Sequence, residues 1–175
     1  AALRSAAQWP KTDIRGRTVD LRQFKNSPSD TSEHDVSSFM FNKSDEFGWV
    51  TACNPRTRLL IGYIWKTQEY PWLNIWRYLH QGRVAARGLE FGTTGYHQPF
   101  DRLVRQGRIL DRPLYEYIDA GQTVKKSYVG FLASIPNDYE GVASVKSGGG
   151  RLMLFERRKQ NPRTITLKMG DLPSD

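Results

Sequence analysis

Between Val36 and Tyr78 the chain passes through four short runs of β-forming residues, each cut off by turn chemistry within eight residues or so. Val36 to Asn42 reads as a strand, and Lys43-Ser44-Asp45-Glu46 turns the chain. Gly48 to Cys53 reads as the next strand, and Asn54-Pro55-Arg56-Thr57 is a second turn signal. Arg58 to Trp65 is a third, mostly apolar strand. Pro71 to Tyr78 alternates, with Trp72, Asn74 and Trp76 on one face and Leu73, Ile75 and Arg77 on the other. Connections of about four residues between such runs are those of antiparallel hairpins.

The rest of the chain keeps this character. Thr18 to Leu21 reads as a short strand, Asn26 to Asp30 as a loop, and His80 to Arg83 as a turn. Asp101 to Arg108 reads either as a helical turn or as an extended excursion. Leu114 to Ile118 and Thr123 to Ile135 have strand composition. Gly141 to Lys146 and Arg151 to Arg157 flank Ser147-Gly148-Gly149-Gly150, which reads as a hairpin or a flexible loop, and Thr164 to Leu167 is a final strand. Helical periodicity is almost absent, so the expected class is all-β, an antiparallel β-sandwich or barrel. With no repeat and no linker, the 175 residues read as one domain over positions 1–175.

Composition narrows the function. Four of the five tryptophans, Trp49, Trp65, Trp72 and Trp76, crowd into one region, which favours a heavy core or an aromatic binding face. The net charge of +8 permits a polyanion partner. The basic residues are scattered, however, from Arg15, Arg17 and Arg22 to Arg102, Arg105, Arg108 and Arg112. Only Glu156 to Lys159 is a tight cluster, so a solvated surface explains the charge better than nucleic acid does. Cys53 is alone, which rules out an intrachain disulfide and any multi-cysteine metal site. No cofactor or metal motif is present. The longest apolar run, Leu59 to Trp65, is too short to span a bilayer, so no membrane partner is expected. The N-terminus lacks the apolar core of a signal peptide, and these residues do not decide between cytoplasm and periplasm.

The stretch most suggestive of chemistry is Val84 to Phe100. Glu90 stands between Leu89 and Phe91, and a loop with Gly92 and Gly95 leads to Tyr96, His97, Gln98 and Pro99. An apolar setting would raise the glutamate toward the range useful for proton transfer. Strand alternation equally allows Glu90 to face solvent, with Leu89 and Phe91 turned to the core. His97 reads either as a proton donor or as a surface residue.

Residues 84–133 resemble the C-terminal part of the aldose 1-epimerases, the galactose mutarotase-like proteins. The likeness rests on Gly88-Leu89-Glu90 with its polar loop and Gln98-Pro99, then on Tyr117 to Thr123 and a strand ending in Phe131. Arg58 to Trp76 is similar to the family's strand pair that presents an aromatic wall to the sugar, and His34-Asp35 weakly resembles its Asp-His sugar contact. The resemblance implies a partial galactose mutarotase-like supersandwich, corresponding to a C-terminal half or a reduced relative, because family members are roughly twice as long. It implies Glu90 as general base, with His97 the available acid. It further implies Trp72 or Trp76 stacked on the sugar, and His34, Asp35, Arg77 and Arg87 as hydroxyl contacts. The family's own general-acid histidine is not evident.

Three functions compete at this point. One is anomer interconversion on a hexose or oligosaccharide, another a carbohydrate-binding sandwich without catalysis, and the third polyanion binding. A half-sandwich also leaves open sheet edges and an apolar face, so a homo-oligomer or a partner half is expected.

Overall fold

Hairpin chemistry sets the architecture from the start of the chain. The computed structural model describes residues 8–14, 17–22, 33–81 and 83–170. The expected loop at Asn26 to Asp30, residues 1–7 and the tail beyond Gly170 lie outside the described residues. In chain order the elements are β1 (Lys11–Ile14), β2 (Arg17–Asp20), β3 (Glu33–Met40), β4 (Phe47–Asn54), β5 (Leu59–Lys66), β6 (Trp72–His80) and β7 (Arg83–Gly92). There follow α1 (Phe100–Gln106), β8 (Arg108–Ile109), β9 (Arg112–Pro113), β10 (Tyr128–Ser134), β11 (Val142–Gly148), β12 (Arg151–Glu156) and β13 (Thr164–Lys168). Among the described residues the sheets are antiparallel, and the fold is all-β with one short helix.

The sequence reads as one domain; contacts within the chain gather it into two compact units. One comprises Ala1–Glu46 and Lys66–Ser127, the other Phe47–Trp65 and Tyr128–Asp175. The second unit is a small sandwich. Its first sheet has the order β10-β5-β4 and its second the order β11-β12-β13. Leu60, Ile64 and Ala133 from the first sheet pack with Leu152 and Leu154 from the second, together with Ile135 and Tyr139. Fully burying each such aliphatic side chain contributes about 1.5–3 kcal/mol. The β4–β5 turn is tied by Asn54, whose Oδ1 accepts the Arg56 N–H at 3.1 Å. That is the local hydrogen bond that makes asparagine a turn former.

The first unit is built on the sheet β3-β6-β7, beside the hairpin β1-β2 and the short pair β8-β9. Central strand β6 alternates as its sequence predicts. Leu73, Ile75, Arg77 and Leu79 are buried, while Asn74, Trp76, Tyr78 and His80 are less so. Trp72 departs from the alternation. It is 0% exposed, packed with Leu103 of α1 and Leu114, and its indole N–H donates to the Pro113 carbonyl at 2.7 Å. The segment Leu114 to Ile118, expected as a strand, has no regular structure, and the long run expected over Thr123 to Ile135 is strand only from Tyr128 to Ser134. The ambiguous Asp101 to Arg108 segment is the helix α1 followed by β8.

Candidate functional site

Pairing across three strands lays out the exposed face of sheet β3-β6-β7 in rows. Ser38, Asn74 and Glu90 form one row, Val36, Trp76 and Gly88 the next, and His34, Tyr78 and Ala86 the third. The small residues Gly88 and Ala86 stand directly opposite the two large rings. Trp76 and Tyr78 lie with planes within 8° and centroids 6.2 Å apart, and His80 continues the series 6.3 Å beyond Tyr78 at 25°. The result is a ladder of three rings on one face of one strand.

Glu90 sits beside this ladder. A Cβ at Gly88 would fall 2.8 Å from Glu90 Oε1 and 3.3 and 3.4 Å from Trp76 Cβ and Cε3. The carboxylate therefore leans back along its own strand, over the gap that glycine leaves, to the flank of the indole. Glu90 is exposed. The apolar setting expected from Leu89 and Phe91 is absent, because alternation sends both to the other face, in register with Ile75 and Leu73.

The loop after β7 is fixed over the same face. Ser38 Oγ donates to Asn74 Oδ1 at 2.7 Å and accepts the Tyr96 N–H at 3.1 Å, while Asn74 Nδ2 donates to the Thr94 carbonyl at 3.0 Å. Gly95 rests on the Trp72 indole so closely that a Cβ there would be 1.9 Å from Cδ2. Thus the glycine-punctuated loop exists to pass over a buried tryptophan, and Trp72 belongs to the core that holds the loop rather than to a sugar platform.

The other expected site residues divide between the two faces of the sheet. His34 shares the outer face with Glu90 and Trp76. Asp35, Arg77 and Arg87 occupy the opposite, buried face. Arg77 is 6% exposed and grips Asp35 through two hydrogen bonds of 2.9 and 2.6 Å. A bidentate partner is what allows a guanidinium to stay buried. Burial pushes Arg87 below its usual value, Arg77 adds like-charge repulsion and Asp20 opposes both. The Asp35–Arg77 pair ties β3 to β6 on the face away from Glu90. His97 is exposed in the loop before α1. Tyr78, His80, Asn74 and Ser38 were not anticipated; the aromatic spacing Trp76-x-Tyr78-x-His80 was the available signal for the first two.

The most strongly perturbed acid lies in the other unit. Glu156 is 3% exposed, and its carboxylate accepts from Arg163 Nε and Nη2 at 2.7 Å each and from the Glu140 and Arg163 backbone N–H groups at 3.0 and 3.2 Å. The Arg163 hydrogen bonds hold its carboxyl down at about 2. Asp138 joins through Arg163 and Arg158 at 2.8 and 2.9 Å. Tyr139, packed under the Arg163 guanidinium, is pushed up to about 12 by burial and then by Glu156 and Cys53. Burial also raises the Cys53 thiol, so it is not a ready nucleophile. Both carboxylate oxygens of Glu156 and both of Asp138 are engaged by structural donors, whereas the buried Tyr139 hydroxyl has no hydrogen-bond partner among the described residues.

No family model, curated protein or solved structure matches the chain. Among the described residues no group of three or more His, Cys, Asp and Glu could hold a metal ion, and no helix is long and apolar enough to cross a membrane.

Proposed function

We propose that the outer face of sheet β3-β6-β7 binds a carbohydrate and that the chain is an aldose 1-epimerase-like protein. The observation that carries this reading is the Glu90 carboxylate lying beside the Trp76 indole over Gly88 on an open face. A pyranose has an apolar side of C–H groups and a rim of hydroxyls. An indole lying over a small cross-strand residue accommodates the first, and an adjacent carboxylate accepts from the second. The Trp76-Tyr78-His80 ladder extends the platform for a chain longer than one sugar. Titration with glucose, galactose and their oligosaccharides should quench tryptophan fluorescence, and Trp76→Ala should abolish the quench. Absence of any quench in the parent protein overturns the reading.

Mutarotation by Glu90 is the second reading, favoured by the same leaning carboxylate. Glu90 would take the anomeric hydroxyl proton as the ring C–O bond opens, and the ring oxygen would receive a proton from His97, His34 or water. Reclosure on the other face returns both protons. Polarimetry of freshly dissolved α-galactose decides it: Glu90→Gln should slow the reaction by about 10²–10⁴-fold. Equal rates for parent and variant exclude Glu90 as the base and leave carbohydrate binding alone.

A further inference from the structure

Among the described residues the second unit has four edge strands, and they differ in how they are guarded. β11 carries Lys146 and β13 carries Lys168, the charged residues that keep an edge from pairing with another chain. β4 has no charge, but Gly48 and Val50 on it are buried. Among the described residues β10 has neither protection. Its sequence, Tyr-Val-Gly-Phe-Leu-Ala-Ser, is uncharged in a chain of net charge +8. It pairs only with β5 among the described residues. Leu132 is 62% exposed and Tyr128 55%. In an antiparallel edge strand every second residue turns its N–H and C=O away from the one neighbour it has. Beside β10 runs a groove of about 510 Å³, lined by residues 128–132 on one side and by 167–170 on the other.

We propose that a second copy of this chain occupies that edge, with β10 pairing antiparallel to β10 of the partner about a two-fold axis through Phe131. The strand is matched to itself by size. In that register Tyr128 stands opposite Ser134, Val129 opposite Ala133, and Gly130 opposite Leu132. In these three off-axis pairs a larger side chain faces a smaller one, and the exposed Leu132 enters the space left by Gly130, next to the Tyr63 ring that a Cβ at Gly130 would approach at 3.4 Å; Phe131 meets its own copy on the axis, with its ring turned back over Gly62 of β5. Exposed Leu59 and Ile61, in register with Ser134 and Leu132 on the same face, widen the apolar contact. No charge is brought against a like charge, which a partner of the same net charge requires. The two sheets join as one of six strands, in the order β4-β5-β10-β10-β5-β4. A seven-residue edge is a small interface, near or below the ~1,200 Å² end of specific complexes, so the association is reversible.

Sedimentation velocity from about 1 to about 200 μM tests this over the range where a small interface assembles. The parent should shift from monomer to dimer, with amide exchange in residues 128–134 slowing as concentration rises. Leu132→Lys changes an exposed position, keeps the far-UV circular dichroism of the parent and should weaken dimerisation at least tenfold. Ser134→Lys, opposite Tyr128 of the partner, is the second variant should the first misfold. A parent monomeric throughout the range overturns the proposal. So does a dimer that both lysine variants leave intact, because its contact then lies elsewhere.

Discussion

Glu90 and Glu156 are both strand glutamates that follow large apolar residues, and the chain treats them in opposite ways. Glu156 is enclosed at the end of β12, with two backbone N–H groups and a bidentate arginine on its oxygens. Glu90 lies open on β7, beside an indole and over a glycine, with the neighbouring asparagine amide committed to the loop. The first carboxylate has spent its acceptor capacity on the fold. The second has not. A strongly shifted carboxyl is often read as a sign of function, but here the shift belongs to the acid with no room for a ligand. Its cause, hydrogen bonds to the charged form, is the one that ties a structural acid in place.

The contrast predicts that the two positions fail differently, and the larger loss is at Glu156. Glu156→Gln removes the charge that keeps Arg163 docked and leaves donors poorly matched, which should cost about 2–3 kcal/mol of stability in urea denaturation. Sugar binding by the folded variant should be unchanged. The pH dependence follows from the sign. The folded carboxyl sits at about 2, below its ordinary value of 4.5. Its contribution is therefore complete above pH 4.5 and is lost as pH falls toward 2. The parent should lose stability over that window, and the variant should lose less. A variant within 0.5 kcal/mol of the parent, an ordinary surface effect of roughly that size, would remove the distinction drawn between the two acids.

Trp76→Ala tests the other side of the comparison. The ring lies on the outer face, so truncation should cost about 1 kcal/mol of stability or less, yet sugar affinity should fall about tenfold with the loss of an aromatic contact of about 1.4 kcal/mol. A large stability loss with unchanged affinity reverses the assignment and makes Trp76 a packing residue.

The all-β class and most strands were legible in the sequence because their cues are local. Period-two alternation placed the two faces of β6 correctly from Leu73 to Tyr78, and Asn54-Pro55 marked the β4–β5 turn. The candidate site was legible only in part, because facing is a property of the sheet rather than of the residue. Once β6 is paired, Asp35, Arg77 and Arg87 fall in one row and Glu90 and Trp76 on the reverse side. Adjacent positions such as His34 and Asp35 cannot both reach one ligand from the same strand. Trp72 was out of reach for a different reason. Its burial depends on Gly95, Leu103, Leu114 and the Pro113 carbonyl, all distant in sequence. The Glu156 knot was likewise hidden, since Glu156-Arg157-Arg158-Lys159 reads as a charge cluster and the pairing residue is Arg163.

The smallest effect is the most discriminating. Gly88→Ala places a methyl group 2.8 Å from Glu90 Oε1 and 3.3 Å from Trp76 Cβ. The glutamate is exposed and flexible, so its carboxylate swings aside at little cost, and the indole must yield by a few tenths of an ångström. The backbone there does not require glycine, and alanine restricts the unfolded chain, which stabilises by about 0.4–1 kcal/mol where no strain results. Stability should therefore hold or rise slightly. Sugar affinity should fall about three- to tenfold, roughly one hydrogen bond's worth, because the carboxylate no longer lies against the indole. If glycine at this position served only the fold, the two readouts would move together; their separation is what a binding face predicts. Equal affinity in Gly88→Ala and the parent would mean that the position of the Glu90 carboxylate does not matter to the ligand, and the open acid would lose its claim to function.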